Sequence, residues 1–199
     1  MALTRKGVAT RARIVEGAAG LIREEGVFAL RLEDVMARTA TSKSQLFHYF
    51  PDGKDGLLLA VARHEAARVL EDQQPELGSL DDWAAWRRWR DKVVARYRAQ
   101  GVNCPLHTAL SQLGSTTQAA RAVAARLLEQ WQEQLAAGIR RLQEGGAVTA
   151  ELDAGREAAA LLAGIQGGVL ILLTTGSVVH LEAALDVGLE RLRGARPGA

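Results

Sequence analysis

The sequence is almost without cysteine and has few prolines, and these shortages exclude several classes of protein. Cys104 is the only cysteine in 199 residues, which excludes an intrachain disulfide and any metal cluster built on several cysteines. Four prolines and the lack of low-complexity runs argue against extended disorder. A single cysteine fits a reducing compartment, so we expect a cytoplasmic protein.

The chain also lacks a strong excess of charge of either sign, except at its N-terminus. Lys and Arg number 25 against 23 Asp and Glu, giving a net charge of +2. Four of the basic residues, Arg5, Lys6, Arg11 and Arg13, nevertheless precede the first acidic residue, Glu16. This local excess predicts an anionic partner near the N-terminus. Because no apolar stretch follows it, we do not expect a secretory signal.

The periodicity of apolar residues predicts an all-α fold. A period of 3.6 recurs from residue 10 to residue 193, and alternation with period two is almost absent. We predict about nine helices, at 10–25, 33–39, 42–49, from 53 to before Pro75, from 80 to about 100, and at 106–113, 116–144, 152–173 and 178–192. Ser79 and Asp82 form the predicted capping pair of the fifth helix.

The second and third predicted helices are separated by Ala40 and Thr41 alone. This linker is too short for antiparallel packing and predicts a helix-turn-helix, whose second helix enters the major groove of DNA. The N-terminal residues of such a helix need donors and acceptors that reach base edges. The sequence supplies them in the run Ser42, Lys43, Ser44 and Gln45.

Neighbouring residues predict contacts with the DNA backbone. Ser42 is a suitable N-cap, and the amides at that end can receive a phosphate oxygen. We expect His48 and Tyr49 to contact phosphates and Phe47 to lie against a sugar or a thymine methyl group. Lys54, at the start of the next helix, is expected to add a further phosphate contact.

The segment TRARIVEGAAGLIREEGVFALRLEDVMARTATSKSQLFHYFPDGKDGLLLAV resembles the N-terminal domain of TetR-family transcriptional regulators. The resemblance covers about fifty residues and rests on several elements together. They are T-R-x-x-I at 10–14, the glycine after the first helix, Asp34 and Val35, S-K-x-x-L-x-H-Y-F at 42–50, and Lys54, Asp55 and Leu57. The resemblance implies a three-helix DNA-binding domain, residues 1–52, and a larger helical domain for ligand binding and dimerisation, residues 53–199.

Three departures from the family pattern carry their own expectations. Ala40 and Thr41 stand where the family usually has glycine and valine, which predicts a strained or differently shaped turn. Arg31 replaces the usual serine or threonine cap of the second helix, which weakens that cap and supplies a possible phosphate contact. One extra residue between Phe50 and Lys54 resembles a subgroup with F-P-x-G-K.

Three tryptophans share one helix face and are either core or the wall of a pocket for an apolar or aromatic small molecule. The predicted ligand-binding residues are Trp83, Trp86, Trp89, Cys104, His107 and Trp131. Cys104 and His107 are too few for a zinc site, so no metal and no cofactor are predicted. No acid, base and nucleophile converge in the sequence, so we do not expect an enzyme.

A run of 22 residues without charge extends from Ala158 to Val179. Its length fits a membrane span, but its four glycines and the TTGS run argue for a buried helix instead. In the TetR family, which the N-terminal segment resembles, the last two helices pack against their copies in a second subunit. The predicted dimer interface consists of Leu161, Gly164, Gly168, Leu172, Leu181, Leu185 and Leu189.

Together with the resemblance, these patterns predict a cytoplasmic TetR-like regulator, a repressor that binds a palindromic double-stranded DNA operator as a homodimer. A small apolar or aromatic inducer is expected to release it. Two half-sites should lie one helical turn, or a multiple of it, apart. The alternative is a peripheral membrane protein or a helical small-molecule-binding protein without DNA readout.

Overall fold

The structure, a computed structural model, describes residues 4–100 and 117–195. These residues form eight α-helices and one short 3₁₀ helix, and none of them lies in a strand, so the all-α prediction is confirmed. The helices are α1 Arg5–Glu25, α2 Leu32–Thr39, α3 Lys43–Tyr49, α4 Gly53–Glu71, the 3₁₀ helix Glu76–Ser79, α5 Trp83–Gln100, α6 Gln118–Glu144, α7 Ala154–Thr175 and α8 Val179–Gly194. The short helix predicted at 106–113 lies outside the described residues.

The chain forms two compact units. The described residues within 1–69 and 103–125 make up the first, and those within 70–102 and 126–199 make up the second. The functional boundary between residues 52 and 53 stays a prediction.

The first unit is built around α1. Thr4 caps the helix by accepting a hydrogen bond from the Gly7 amide at 3.2 Å. Gly26, at φ 87°, ends it and donates its amide to the Ile22 carbonyl. The apolar stripe of α1 packs with the other helices into one core that comprises, among others, Ile14, Ala18, Ile22, Val35, Leu46, Phe50, Leu57 and Val61. The predicted stripe of α1 is therefore buried, but the helix begins at Arg5, five residues before the predicted start at residue 10.

A buried ion pair joins α1 to α4 within this unit. The Arg23 guanidinium donates to the Glu65 carboxylate at 2.6 Å, and the Glu65 side chain has no exposed surface. A carboxylate removed from water in this way needs its partner, because an unpaired buried charge is costly. The pair therefore fixes the middle of α4 against the end of α1.

The turn between α2 and α3 contains the strain that the sequence predicts. Ala40 has φ 47° and ψ 48° and is the only non-glycine residue with positive φ in the described part of the chain. Thr41, which replaces the usual valine, is buried and accepts a hydrogen bond from the Thr39 hydroxyl at 2.9 Å. The turn is compact because Ala40 adopts the left-handed backbone conformation, which is unfavourable for a residue with a Cβ atom.

Glycine at position 40 should relieve this strain. We expect Ala40→Gly to raise the free energy of unfolding by up to about 1 kcal/mol, because glycine adopts the left-handed region without a Cβ clash. The matched control is Ala37→Gly, at an exposed position inside α2, which should cost roughly 1 kcal/mol. Chemical denaturation of both variants measures the difference, and equal signs for the two changes would contradict the strain.

The second unit corrects one predicted helix start. Ser79 belongs to the 3₁₀ helix Glu76–Ser79, and α5 begins at Trp83. Asp82 alone caps α5, since its carboxylate accepts the Ala85 amide at 2.7 Å. The predicted Ser79–Asp82 capping pair is therefore wrong. The fully buried Leu77 and Leu80 hold this segment in a tight turn and delay the helix by three residues.

Helices α7 and α8 pack closely against each other. Gly176, at φ 73°, ends α7, and α8 begins three residues later. A Cβ atom added at Gly168 would lie 2.5 Å from the Leu181 Cα atom, so only glycine permits this approach. Of the described helices, α7 alone is long and apolar enough to cross a membrane by length and composition, and 39% of its most apolar window is buried.

Candidate functional site

The N-terminus of α3 is an exposed polar surface with an ordered first turn. Ser42, Lys43, Ser44 and Gln45 are all exposed. Ser42 caps the helix by accepting the Gln45 amide at 3.2 Å, and the Gln45 side-chain oxygen in turn accepts the Ser42 amide at 3.1 Å. This reciprocal capping box satisfies two amides that would otherwise lack partners. The sequence contained the signal, a serine followed three residues later by glutamine, but we predicted only the serine cap.

The rings of α3 divide between the core and the surface. Leu46 is fully buried and Phe50 nearly so, and they attach the short helix to the first unit. Phe47 is 39% exposed, and His48 is exposed and packs edge-on against the half-buried Tyr49, with ring centroids 4.9 Å apart. The opening of the helix therefore presents hydrogen-bonding groups, and the rings that remain exposed lie beside them.

Arg31 and Lys54 lie at the starts of α2 and α4. Arg31 occupies the N-cap of α2, is exposed and makes no side-chain capping bond, as the weakened cap predicts. The Lys54 ammonium donates to the Leu30 carbonyl at 2.7 Å. This intramolecular bond was not visible from the sequence, because it joins residues 24 positions apart. It leaves the ammonium two further donors.

Charge is distributed unequally between the two units. The first contains 12 Lys and Arg against 8 Asp and Glu, whereas the second contains 13 against 15. A positive field over the unit that holds the exposed polar helix attracts a polyanion. A basic helical unit with a short, capped and polar second helix in a tight two-helix turn defines a DNA-binding helix-turn-helix protein.

The tryptophans of the second unit differ in how their indole groups are satisfied. Trp86, Trp89 and Trp131 have no exposed surface. The Trp89 N–H donates to the Gln73 side-chain oxygen at 3.0 Å, and its ring meets Trp86 edge-on at 5.7 Å. The N–H groups of Trp86 and Trp131 find no acceptor among the described residues. A buried donor without an acceptor is uncommon in a native fold. Trp86 and Trp131 are therefore candidates for a hydrogen bond to a ligand.

Of the remaining predicted ligand residues, Trp83 lines a groove of about 260 Å³ together with Trp86. Trp83 is half-buried, with the Arg193 guanidinium 5.0 Å from its ring centroid. Cys104 and His107 lie outside the described residues. Within residues 4–100 and 117–195, no group of three or more His, Cys, Asp or Glu side chains could hold a metal ion.

An apolar groove of about 430 Å³ runs between α7 and α8. We call it the α7–α8 groove; it is lined by Glu157, Ala160, Leu161, Gly164, Ala183, Ala184, Val187, Gly188, Arg191 and Leu192. Val187 is 63% exposed. A valine this exposed in a mostly apolar groove is typical of a surface that another apolar surface covers.

The predicted interface residues are mostly turned into the protomer. Leu161 and Gly164 line the α7–α8 groove. The other five, which already pack within the second unit in one chain, are Gly168, Leu172, Leu181, Leu185 and Leu189. Sequence reasoning did not single out Ala160, Ala183 and Val187 of the groove lining, because small or isolated apolar residues do not by themselves distinguish an inner helix face from an outer one.

An ion pair closes one end of the α7–α8 groove. The Arg191 guanidinium donates to both Glu157 oxygens, at 2.6 and 2.7 Å. These hydrogen bonds lower the pKa of Glu157 below its ordinary 4.5, against the opposing effect of burial. The Glu157 side chain is 8% exposed and that of Arg191 is 63% exposed.

The lowered pKa of Glu157 makes stability depend on pH in the acidic range. A carboxylate with a depressed pKa in the folded state contributes its full stabilisation above about 4.5 and loses it as the pH falls through the folded-state pKa. We expect Glu157→Gln to reduce the free energy of unfolding at pH 7, with a smaller difference from the wild type below pH 4.5. Urea unfolding across pH 3–7 measures this, with the exposed Glu190→Gln as control. A difference independent of pH would contradict it.

The comparisons with known proteins agree with these features. Residues 14–61 match the family model described as bacterial regulatory proteins, tetR family. Residues 83–187, more than half of the chain, match the model described as tetracyclin repressor-like, C-terminal domain. The chain belongs to the TetR family, and it is a DNA-binding transcriptional regulator.

Individual relatives support this assignment. An HTH-type transcriptional regulator in the lacX 3' region of Lactococcus lactis subsp. lactis is 24% identical over 187 residues, which cover 89% of this chain and 90% of the relative. The solved TetR-family regulator from Cytophaga hutchinsonii has a TM-score of 0.83 over the full length of both chains at 18% identity, which shows the fold. A regulator from Saccharomonospora viridis, solved in complex with choline, has a TM-score of 0.74 at 25% identity and covers 92% of this chain and 96% of its own.

Proposed function

We propose that this regulator is a repressor that binds a palindromic operator as a homodimer and dissociates when a small molecule binds its second unit. The observation that carries the proposal is the capped, exposed and polar N-terminus of α3 in the more basic unit. Such an end presents donors and acceptors to base edges without first having to order its own backbone. As a DNA-binding regulator, the protein would act in the cytoplasm.

Specific roles follow for the residues of this surface. Gln45 reads a base edge through its amide group, and Lys43 meets a phosphate as a point charge. Ser42 and Ser44 contribute hydroxyl groups, while His48, Tyr49 and Phe47 contact the backbone beside them. Arg31 and Lys54 are further phosphate contacts, and Lys54 would use the donors that its bond to Leu30 leaves free.

The α7–α8 groove supports a second copy of the chain as its occupant. The groove is apolar, Ala183 and Val187 are exposed in it, and the Glu157–Arg191 pair bounds it. A twofold axis would place the same surface of each protomer against the other, as an isologous interface requires. Two recognition helices would then face successive half-sites.

The second unit supports a ligand that carries hydrogen-bond acceptors on an apolar or aromatic body. The N–H groups of Trp86 and Trp131 lack acceptors among the described residues, whereas that of Trp89 is satisfied by Gln73. We therefore assign Trp86 and Trp131 to the ligand and Trp89 to the core. Because the related regulator from Saccharomonospora viridis is solved with choline, quaternary ammonium compounds belong in the first ligand screen. A ligand can release the operator only through its better affinity for the conformation that does not bind DNA.

Selection of bound sequences from a random duplex library, at near-physiological salt, tests the proposal. Salt at that level suppresses non-specific binding. We expect an enriched inverted repeat and a complex of two chains per duplex by sedimentation. Enrichment of a single half-site would contradict the homodimer, and no enrichment with folded, ligand-free protein would contradict the sequence readout.

A further inference from the structure

A second cationic surface lies on the first unit, away from the N-terminal residues of α3. A groove of about 510 Å³ runs between α1 and α4. We call it the α1–α4 groove; its lining consists of Arg11, Ala12, Arg13, Val15, Glu16, Ala60, Arg63 and His64. The function described above assigns nothing to it.

The groove carries cations that no acid neutralises. Glu16 is its one carboxylate, and that carboxylate lies 2.6 Å from the His64 Nε2 atom and 3.4 Å from the Arg23 guanidinium. Arg13 and Arg63 are exposed, and no carboxylate in the described part of the chain lies within ion-pair distance of either. Their guanidinium groups are therefore free for an external anion.

Acids elsewhere in the first unit are used differently. Glu24 pairs with Arg38, and the buried Glu65 pairs with Arg23. Each pairing neutralises a cation outside the groove or at its far end. Arg13 and Arg63 are therefore among the cations of the unit that no carboxylate of the described residues pairs with.

The groove adjoins the recognition helix. The Arg11 guanidinium lies 5.2 Å from the centroid of the Phe50 ring, and Phe50 is the C-cap of α3. Because α3 has seven residues, its two ends are only about 10 Å apart. The groove therefore begins beside the C-terminal end of α3, within one short helix of the end that is proposed to read bases.

We infer that the α1–α4 groove binds phosphates of the DNA that flanks each half-site. Arginine suits this contact because its planar group donates to two phosphate oxygens at once. The inference rests on the proposed placement of α3 in the major groove. A membrane surface is the less suitable partner, because such binding needs large apolar side chains beside the cations, and the apolar lining here is Ala12, Val15 and Ala60.

The double variant Arg13→Gln and Arg63→Gln tests the inference in the full-length protein. Operator affinity is measured between 50 and 300 mM salt on a duplex with long flanks. A dimer would lose four phosphate contacts, so the slope of log K against log salt should decrease by about 3 to 4. Hydroxyl-radical footprinting should show wild-type protection outside the half-sites, and the double variant should lose it.

The matched control is Arg87→Gln with Arg88→Gln, which removes two exposed arginines from α5 in the second unit. The control has the same net charge as the test variant, and its salt slope and footprint should equal those of the wild type. Thermal unfolding checks that both variants fold. Sequence preference should be unchanged in the test variant, because phosphate contacts carry no sequence information.

Three outcomes would overturn the inference. An unchanged slope and footprint in the double variant would show that the groove does not meet DNA. An equal decrease of the salt slope in the test and control variants would show that the effect comes from the net charge of the protein and not from the groove. Loss of binding to phosphatidylglycerol vesicles with unchanged DNA binding would assign the groove to a membrane. Absence of an operator for the wild type would instead contradict the proposed function itself.

Discussion

Replacing Gln45 by alanine is expected to weaken operator binding by about 1–3 kcal/mol and to lower the free energy of unfolding by roughly 1 kcal/mol. Two effects are expected because the side chain has two roles. Its oxygen accepts the Ser42 amide and completes the capping box, while its amide nitrogen remains available to a base. Equilibrium binding to the selected operator and urea unfolding measure the two effects separately.

Glutamate at position 45 separates these roles. Gln45→Glu keeps an acceptor for the Ser42 amide and places a negative charge near the helix N-terminus, so stability should be retained. It removes the amide donor, so operator binding should fall at least as far as in Gln45→Ala. Lys43→Ala should weaken binding to all sequences alike and reduce the salt slope. If Gln45→Ala loses stability and keeps its full sequence preference, Gln45 is a cap and not a reader of bases.

Alanine at position 168 is expected to destabilise the second unit by about 1–3 kcal/mol or more. The added Cβ atom would lie 2.5 Å from the Leu181 Cα atom and 2.9 Å from its amide nitrogen, both backbone atoms that cannot rotate away. Relief requires α7 and α8 to separate. Because the α7–α8 groove lies between these helices, dimer formation should weaken as well. Urea unfolding and sedimentation at fixed protein concentration measure both effects.

The neighbouring Gly167 provides the control. It is exposed, and nothing lies within 4 Å of a Cβ atom added there. Alanine is a better helix former than glycine, so Gly167→Ala should stabilise the protein by about 1 kcal/mol. Destabilisation by both changes would show that residue 167 is itself covered in the dimer. Tolerance of both would contradict the close approach of the two helices.

Local signals in the sequence predicted several features of the first unit. The stripe of α1, the glycine that ends it and the serine that caps α3 depend on residues within one or two turns, and the structure has all three. Ala40 was also foreseeable, because its conformation is set by the two-residue turn. The start of α5 was predicted wrongly, because it depends on more than the local capping pattern. Leu77 and Leu80 are buried just before the helix, and no capping pattern reveals that burial.

The candidate sites depended more on distant contacts. The spacing of Trp86 and Trp89 placed them on one helix face, but only the bond from Trp89 to Gln73 separates a satisfied core ring from an unsatisfied one. Along α7, residues without charge surround the helix, so periodicity could not show which face meets α8 and which face meets a partner. The exposure of Ala160 on α7 and of Val187 on α8 shows which side of this helix pair faces outward.

Side-chain contacts attach α4 to the rest of the first unit near both of its ends, and they limit how this helix can move. Lys54 is held by the Leu30 carbonyl at the start of α4, and Glu65 is held by Arg23 three turns later. A helix pinned at two points cannot tilt against its support without breaking one of them. Any displacement of α4 would therefore move α1 and the loop before α2 with it as a rigid body. The orientation of α3 would change, while its internal structure would stay the same.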